Sequence, residues 1–254
     1  MAKLNLFKKK EAVASEKIEN LIIPEHIAII PDGNRRWAKA KNLPVSVGHK
    51  TGADMFKKIV KYSGDIGIKY ITFYAFSTEN WKRDESEVKT LMGMLLNFLN
   101  NSNEELGKDK NKIRIKVIGD RSRLSDELNA GISKIEDETK DNIDITVNIA
   151  INYGGRAEIK DSVKKIAEDV LSGKLSPDDI TEEIIGENLY TAGTPDPDLL
   201  IRTSGELRIS NYLLWQLAYT EFYFADVNWP DFDTNELDKA IIAYNKRQRR
   251  YGGS

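Results

Sequence analysis

Six residues with dense chemical potential, Asp32-Gly33-Asn34-Arg35-Arg36-Trp37, follow the apolar run Ile27-Ala28-Ile29-Ile30 and Pro31. One carboxylate amid fixed positive charge suits a divalent metal and a phosphorylated ligand. A surface turn whose Asp and Asn cap a following helix accounts for the same residues. These six positions alone do not choose between the two. A second mixture, Ser77-Thr78-Glu79-Asn80-Trp81-Lys82-Arg83, follows the apolar stretch that ends at Phe76. It offers short donors, a flat indole and a guanidinium able to clasp an anion. Here too a helix cap is the plainer alternative. A third stretch, Arg202 to Asn211, sets Arg202 and Arg208 either side of a Ser-Gly turn. Paired arginines suit a diphosphate, since each binds oxygens bidentately, although a solvated ion pair is a common fate for either alone. Of the two histidines, His26 precedes the first apolar run and reads as structural. His49, between Gly48 and Lys50 in a polar loop, is the better ligand candidate.

The usual phosphate devices are missing. The chain has no G-x-x-x-x-G-K-[ST] loop, no G-x-G-x-x-G fingerprint and no G-x-S-x-G elbow. It also lacks an Asp-rich D-D-x-x-D run. A phosphate site must then be built from side-chain cations and turn amides, with one metal.

The elements that would position these residues alternate strand and helix. Strands are predicted at Ile27–Ile30, Ile68–Phe76, Ile113–Ile118, Ile143–Ile151 and Leu199–Ile201, with a sixth at Glu221–Phe224. Helical spacing runs through Val88, Leu91, Met92, Leu95, Phe98 and Leu99, and again from Ile159 to Leu171. This order predicts an α/β fold, a single domain with a mostly parallel central sheet of about six strands flanked by helices. Ligands of such sheets sit beyond the carboxyl ends of the strands, where all three polar clusters fall. The helix near residues 88–99 also carries Met94 and Leu96, so it is apolar on more than one side and needs a second apolar partner. More core, a dimer mate or an oily ligand would each serve.

Composition narrows the class. The 254 residues are 40% hydrophobic and 31% charged, with Lys+Arg 38 against Asp+Glu 40. That near balance argues against a nucleic-acid binder, despite Lys246-Arg247-Gln248-Arg249-Arg250. The absence of cysteine excludes disulfides, thiol nucleophiles and Cys-ligated metals, and fits a cytosolic setting. No apolar run reaches the ~20 residues of a membrane span. Residues 1–20 read as a flexible extension, solvated or touching anionic lipid through Phe7-Lys8-Lys9-Lys10, and residues 21–254 as the single domain.

Seven motifs in order, His26–Trp37, Gly48-His49-Lys50, Tyr74–Trp81, Asn148–Gly155, Ile201–Trp215, Glu221–Asp233 and Arg249–Gly253, resemble the cis-prenyltransferase family, in particular the bacterial undecaprenyl diphosphate synthases. The resemblance spans about residues 24–253. It implies a homodimer with a hydrophobic tunnel, adding isopentenyl diphosphate units to an allylic starter, usually farnesyl diphosphate. Each new double bond is cis. By that resemblance Asp32 holds Mg2+ against a diphosphate, with Glu221 a metal-associated carboxylate from the dimer mate. Gly33, Asn34, Arg36, Trp37 and His49 surround the allylic substrate. Ser77, Thr78, Glu79, Asn80, Trp81 and Arg83 form a closing loop, with Asn80 in proton removal. Arg202, Arg208, Ile209 and Ser210 match the isopentenyl diphosphate pocket, and Arg250 and Gly252 reach the neighbouring site. Two positions depart from the pattern. Val45 stands where Arg is frequent, leaving a diphosphate contact missing or supplied by Lys41 or Arg35. Arg35, counted with the substrate-binding set, stands where Gly is common. The expected product is undecaprenyl diphosphate for a cell-wall lipid carrier. A shorter-chain synthase and a non-catalytic partner subunit are alternatives, and Asp32 counts against the latter. A cytoplasmic enzyme touching the inner face of a membrane is implied by so apolar a product. Leu91, Met92, Met94, Leu95 and Leu96 are the expected source of tunnel-lining residues.

Overall fold

Short runs of Ile, Val, Leu and aromatic residues form six strands, β1 (His26–Ile30), β2 (Tyr70–Ser77), β3 (Ile113–Ile118), β4 (Ile145–Tyr153), β5 (Leu199–Arg202) and β6 (Glu221–Phe224). They make one sheet in the order β3-β4-β2-β1-β5-β6, with every pairing parallel, in agreement with the expected architecture. The computed structural model describes residues 21–247. The expected N-terminal extension, Arg250 and Gly252 lie outside the described residues.

Eight α-helices are described: α1 (Asn34–Ala40), α2 (Val45–Asp65), α3 (Glu85–Asn100), α4 (Ser102–Leu106), α5 (Asp126–Thr139), α6 (Gly155–Leu171), α7 (Glu182–Glu187) and α8 (Thr234–Asn245). Side-chain caps start three of them. Ser125 accepts from the Leu128 amide, Thr181 from the Ile184 amide and Asp233 from the Glu236 amide. Alternation along the strands feeds two cores. Ile27, Ile29, Ile71, Phe73, Val147 and Ile149 face α2, α3, α5 and α8. Ala28, Ile30, Tyr74, Ala150 and Leu200 face Tyr153, Tyr212, Leu213 and Leu217. Burial on both faces is why β1 and β5, inside the sheet, read as near-continuous apolar runs, whereas edge strand β3 alternates.

Two strand starts fall later than expected. Ile68 is buried but precedes β2, following a Gly67 with φ of +95°. Ile143 is 85% exposed, because Asp141-Asn142 ahead of it and Asp144 behind it favour a turn.

The topology places the site. From β1 the chain moves to one side, to β2; from β5 it moves to the other, to β6. Neighbouring strands whose connections diverge leave a crevice at their carboxyl ends. Ile30 pairs with Arg202 there, and Asp32 lies two residues beyond Ile30. The end of β2 is irregular: its register with β4 slips between Tyr74 and Phe76, leaving Ala75 exposed. Such a slip re-aims side chains next to a site.

Candidate active site

The Asp32 turn is pinned through its backbone. Its carbonyl accepts from Thr203 Oγ1 at 2.7 Å, Ser204 Oγ at 2.9 Å and the Trp229 amide at 2.9 Å. Gly33 follows with φ of +100°, and a Cβ there would lie 2.0 Å from Ser204 Oγ. Only glycine fits that turn. The Asp32 carboxylate therefore projects at the crevice. Its Oδ2 accepts from Arg202 at 2.9 Å and its Oδ1 meets Arg36 at 3.2 Å. Burial opposes ionisation of Asp32, but the hydrogen bond and charge of Arg202, helped by Arg36, outweigh it and hold the carboxyl below its usual range.

Arg202 is 3% exposed, the end residue of a buried strand. It also donates to Ser210 Oγ at 2.8 Å and to the Arg208 carbonyl, while its Nε is buried without a partner. Glu206 bridges Arg36, at 2.7 Å, and Arg208. Arg36 and Arg202 thus converge on Asp32, Arg208 is tied in through Glu206 and Ser210 through Arg202. Ile209, half-buried, packs against the Tyr153–Tyr212 core.

Trp37 points elsewhere. It is buried, donates to Asp231 at 2.8 Å and carries Lys41 over its ring, which fastens α1 to the 229–231 turn. His49 lies in α2 rather than in a loop, because Pro44 starts that helix four residues before Gly48. It is buried and meets Glu87 at 3.2 Å. Burial lowers its pKa, so the neutral imidazole predominates at pH 7, although Glu87 pulls the other way. His26 is structural, as read. It bonds the Pro195 carbonyl and Thr72 Oγ1, and burial lowers its pKa to about 4.

The second cluster is a 3₁₀ turn closed by a Ser77–Asn80 capping box, with Asn80 Oδ1 accepting from the Ser77 amide at 3.0 Å. The capping alternative therefore describes its local geometry. Thr78 donates to Glu79, and Glu79 accepts from Asn211 of the third cluster at 3.1 Å. Trp81 donates to Asn152 at 2.7 Å, meets Phe76 edge-on and lies under Arg123. Arg83 donates to Glu87 at 3.0 Å.

Glu87 was invisible in the sequence. It sits between the polar cluster ending at Arg83 and the apolar stripe beginning at Val88. In the fold it gathers His49 from α2, Arg35 from α1 at 3.1 Å and Arg83 from the end of the preceding 3₁₀ turn. Its place in the first turn of α3, where acids favour the helix dipole, is the available signal. Arg35, without an assigned partner in sequence, is committed to Glu87. Lys41 is committed to Trp37 and faces Asp231 at 3.9 Å. Both side chains are about half exposed.

Beside this polar mouth opens a cavity of about 620 Å³ between α2, α3 and the sheet. Asn34, His49 and Lys50 stand at the mouth, and Phe56, Phe73, Phe98, Ile149 and Trp229 form the walls. Leu91, Met92, Met94 and Leu95 line it, whereas Leu96 packs on the core. A cavity is thus the second apolar partner of α3.

Among the described residues no three His, Asp or Glu side chains converge on a metal. Mg2+ bound through one carboxylate and substrate phosphates needs no such cluster, and ionised Asp32 fits that donor set. Glu221 lies at the amino end of β6, paired with Arg247 at 2.6 Å. Asp32 lies two residues past Ile30, which is itself about 10 Å along the strands from the level of Glu221, and two strands across. One chain does not bring the two carboxylates together. No helix among the described residues is long and apolar enough to cross a membrane.

A prenyltransferase family model, described as "Putative undecaprenyl diphosphate synthase", matches residues 30–252. An isoprenyl transferase of Clostridium perfringens is 49% identical over 252 residues, covering 98% of this chain and 99% of its own. One from Fusobacterium nucleatum is 54% identical over 231 residues, covering 91% and 96%. Lavandulyl diphosphate synthase from Lavandula x intermedia, solved with dimethylallyl diphosphate, aligns with a TM-score of 0.87 at 41% identity, covering 91% of this chain and 99% of that one. A structure described as a probable undecaprenyl diphosphate synthase from Campylobacter jejuni aligns at 0.74 and 32% identity, with the same coverage. A crevice of arginines around one carboxylate, opening on an oily cavity, thus sits in a chain that belongs to the undecaprenyl diphosphate synthase family of prenyltransferases.

Proposed function

We propose that this chain condenses isopentenyl diphosphate units onto an allylic diphosphate, farnesyl diphosphate by preference, giving a long-chain cis-polyprenyl diphosphate of undecaprenyl type. The observation that carries this reading is the junction of two unlike spaces. Asp32, Arg36 and Arg202 form a charged mouth, and the apolar cavity of about 620 Å³ begins beside it. An amphiphile with a diphosphate head and a hydrocarbon tail fits both at once.

In the reaction the allylic C–O bond breaks and its electron pair leaves with the diphosphate. The isopentenyl double bond attacks the allylic carbon, and a proton leaves the new unit to form the cis double bond. Arg36 stabilises the departing charge because it is already in place before charge develops. When bound, Mg2+ at Asp32 supplies further positive charge against the same group. Arg202, Arg208 and Ser210 hold the second diphosphate, which is catalysis by positioning. Asn80 keeps its carboxamide oxygen on the Ser77 amide, which supports a role as an orienting group rather than a base.

The working enzyme is read as a homodimer, Glu221 and the Arg250–Gly252 element serving the neighbouring site. It is cytoplasmic, with peripheral membrane contact for delivery of its product, and its catalytic domain spans residues 21–254 behind the N-terminal extension. Incubation with farnesyl diphosphate, labelled isopentenyl diphosphate and Mg2+, with products sized by chromatography, tests the reading. Label extractable into butanol at long chain length is expected, and none would sink it. Dimethylallyl diphosphate, present in the lavandulyl enzyme's structure, is the second starter to compare.

A further inference from the structure

The cavity ends in charge. Along α2 its lining stripe runs His49, Gly52, Ala53, Phe56, Lys57, the spacing of one helix face. Lys57 lies about 12 Å along the helix from His49, at the end away from the polar mouth. Its ammonium binds Asp54 one turn back at 2.8 Å and Glu105 of α4 at 2.8 Å. All three line the cavity, together with Asn97 near the end of α3. The Lys57–Glu105 pair therefore ties α2 to α4 across the cavity's far end. Its side chains are only partly exposed, 31% and 26%.

Size makes that end consequential. A space of about 620 Å³ is of the size that takes a small ligand such as a farnesyl tail, and each added five-carbon unit pushes the tail further towards the far end. A growing apolar chain that reaches Lys57 meets two carboxylates and an ammonium, which it does not solvate.

We propose that Lys57, clamped by Asp54 and Glu105, is an ionic gate at the far end of the cavity and a determinant of product length. This rests on the prenyl-transfer reading. The test is product sizing for Lys57→Ala, Lys57→Met and Lys57→Arg, each first checked for folding by thermal melting. Methionine keeps much of the side chain's bulk without its charge, so it serves if alanine destabilises the fold. Opening the gate in the alanine and methionine variants should raise mean product length by one or more five-carbon units. It should also deplete the intermediates that the unmodified enzyme accumulates. Arginine keeps the ion pair and should keep the original distribution. An elongating unmodified enzyme with the same distribution in all three variants overturns the gate alone. No prenyl product even from the unmodified chain overturns the prenyl-transfer reading, and the gate with it.

Discussion

Asp32 is held at the crevice with both oxygens on guanidinium groups. Asp32→Asn preserves an acceptor for Arg202 but removes the charge. It should lower kcat by about 10²–10³-fold, the cost of losing one preplaced electrostatic group, with a near-normal melting curve. Asp32→Ala should be as inactive and also less stable by about 1.5–3 kcal/mol, because a charged hydrogen bond is lost and buried Arg202 is left short of a partner. Steady-state kinetics alongside chemical denaturation separates the two effects. His26 gives a pH signature unrelated to catalysis. Its pKa falls from 6.5 to about 4 on folding, so the fold favours the neutral ring. The stabilisation is full above pH 6.5 and is lost as pH falls towards 4. Between about pH 7 and 4.5 the unmodified protein should lose about 2–3 kcal/mol more than His26→Gln in urea titrations. Equal losses would show that His26 does not couple protonation to folding.

Helix α3 serves the site with one end and the cavity with its length. Leu95 lines the cavity, whereas the adjacent Leu96 packs on the core. Leu95→Trp should therefore shorten the product, while Leu96→Trp should cost stability without moving the product distribution. Equal product spectra for both would contradict this division. The elements themselves were largely legible in sequence. Ile113–Ile118 and Glu221–Phe224 match the strands found, because β-branched and aromatic residues in short runs, alternating with Arg114 and Lys116 in the first, report strands with at least one face buried. Ile143 misled, since an isoleucine beside a strand extends the pattern even when it lies in an exposed turn. Strand-end clusters pointed to the Asp32–Arg202 crevice because topology brings carboxyl ends together. Glu87 and the Trp81–Asn152 bond were not legible, since each joins side chains from separate elements and neither partner has a distinctive local pattern. Trp37 was read as a substrate neighbour from its motif, whereas its indole packs α1 onto the Trp229–Asp231 turn.

For the whole molecule, a single chain keeps Glu221 at the opposite edge of the sheet from Asp32. If the second carboxylate of a site comes from a partner, two separately inactive variants should rescue each other. Mixing Asp32→Ala with Glu221→Ala under subunit exchange should restore about a quarter of normal activity, half the dimers being mixed and each carrying one intact site. No recovery would place both groups in one subunit's function. Glu87 links scales of another kind. Four charged or polar side chains, from three helices and the turn before α3, converge where α3 begins, and two of them, Arg35 and Arg83, are partly open to solvent. Dissolved salt screens such contacts. Because α3 also forms a wall of the oily space, a change in how its first turn is held would bear on that wall. The protein should thus read ionic strength as a change in hydrocarbon room, and added salt should alter how long its products grow as well as how fast they form.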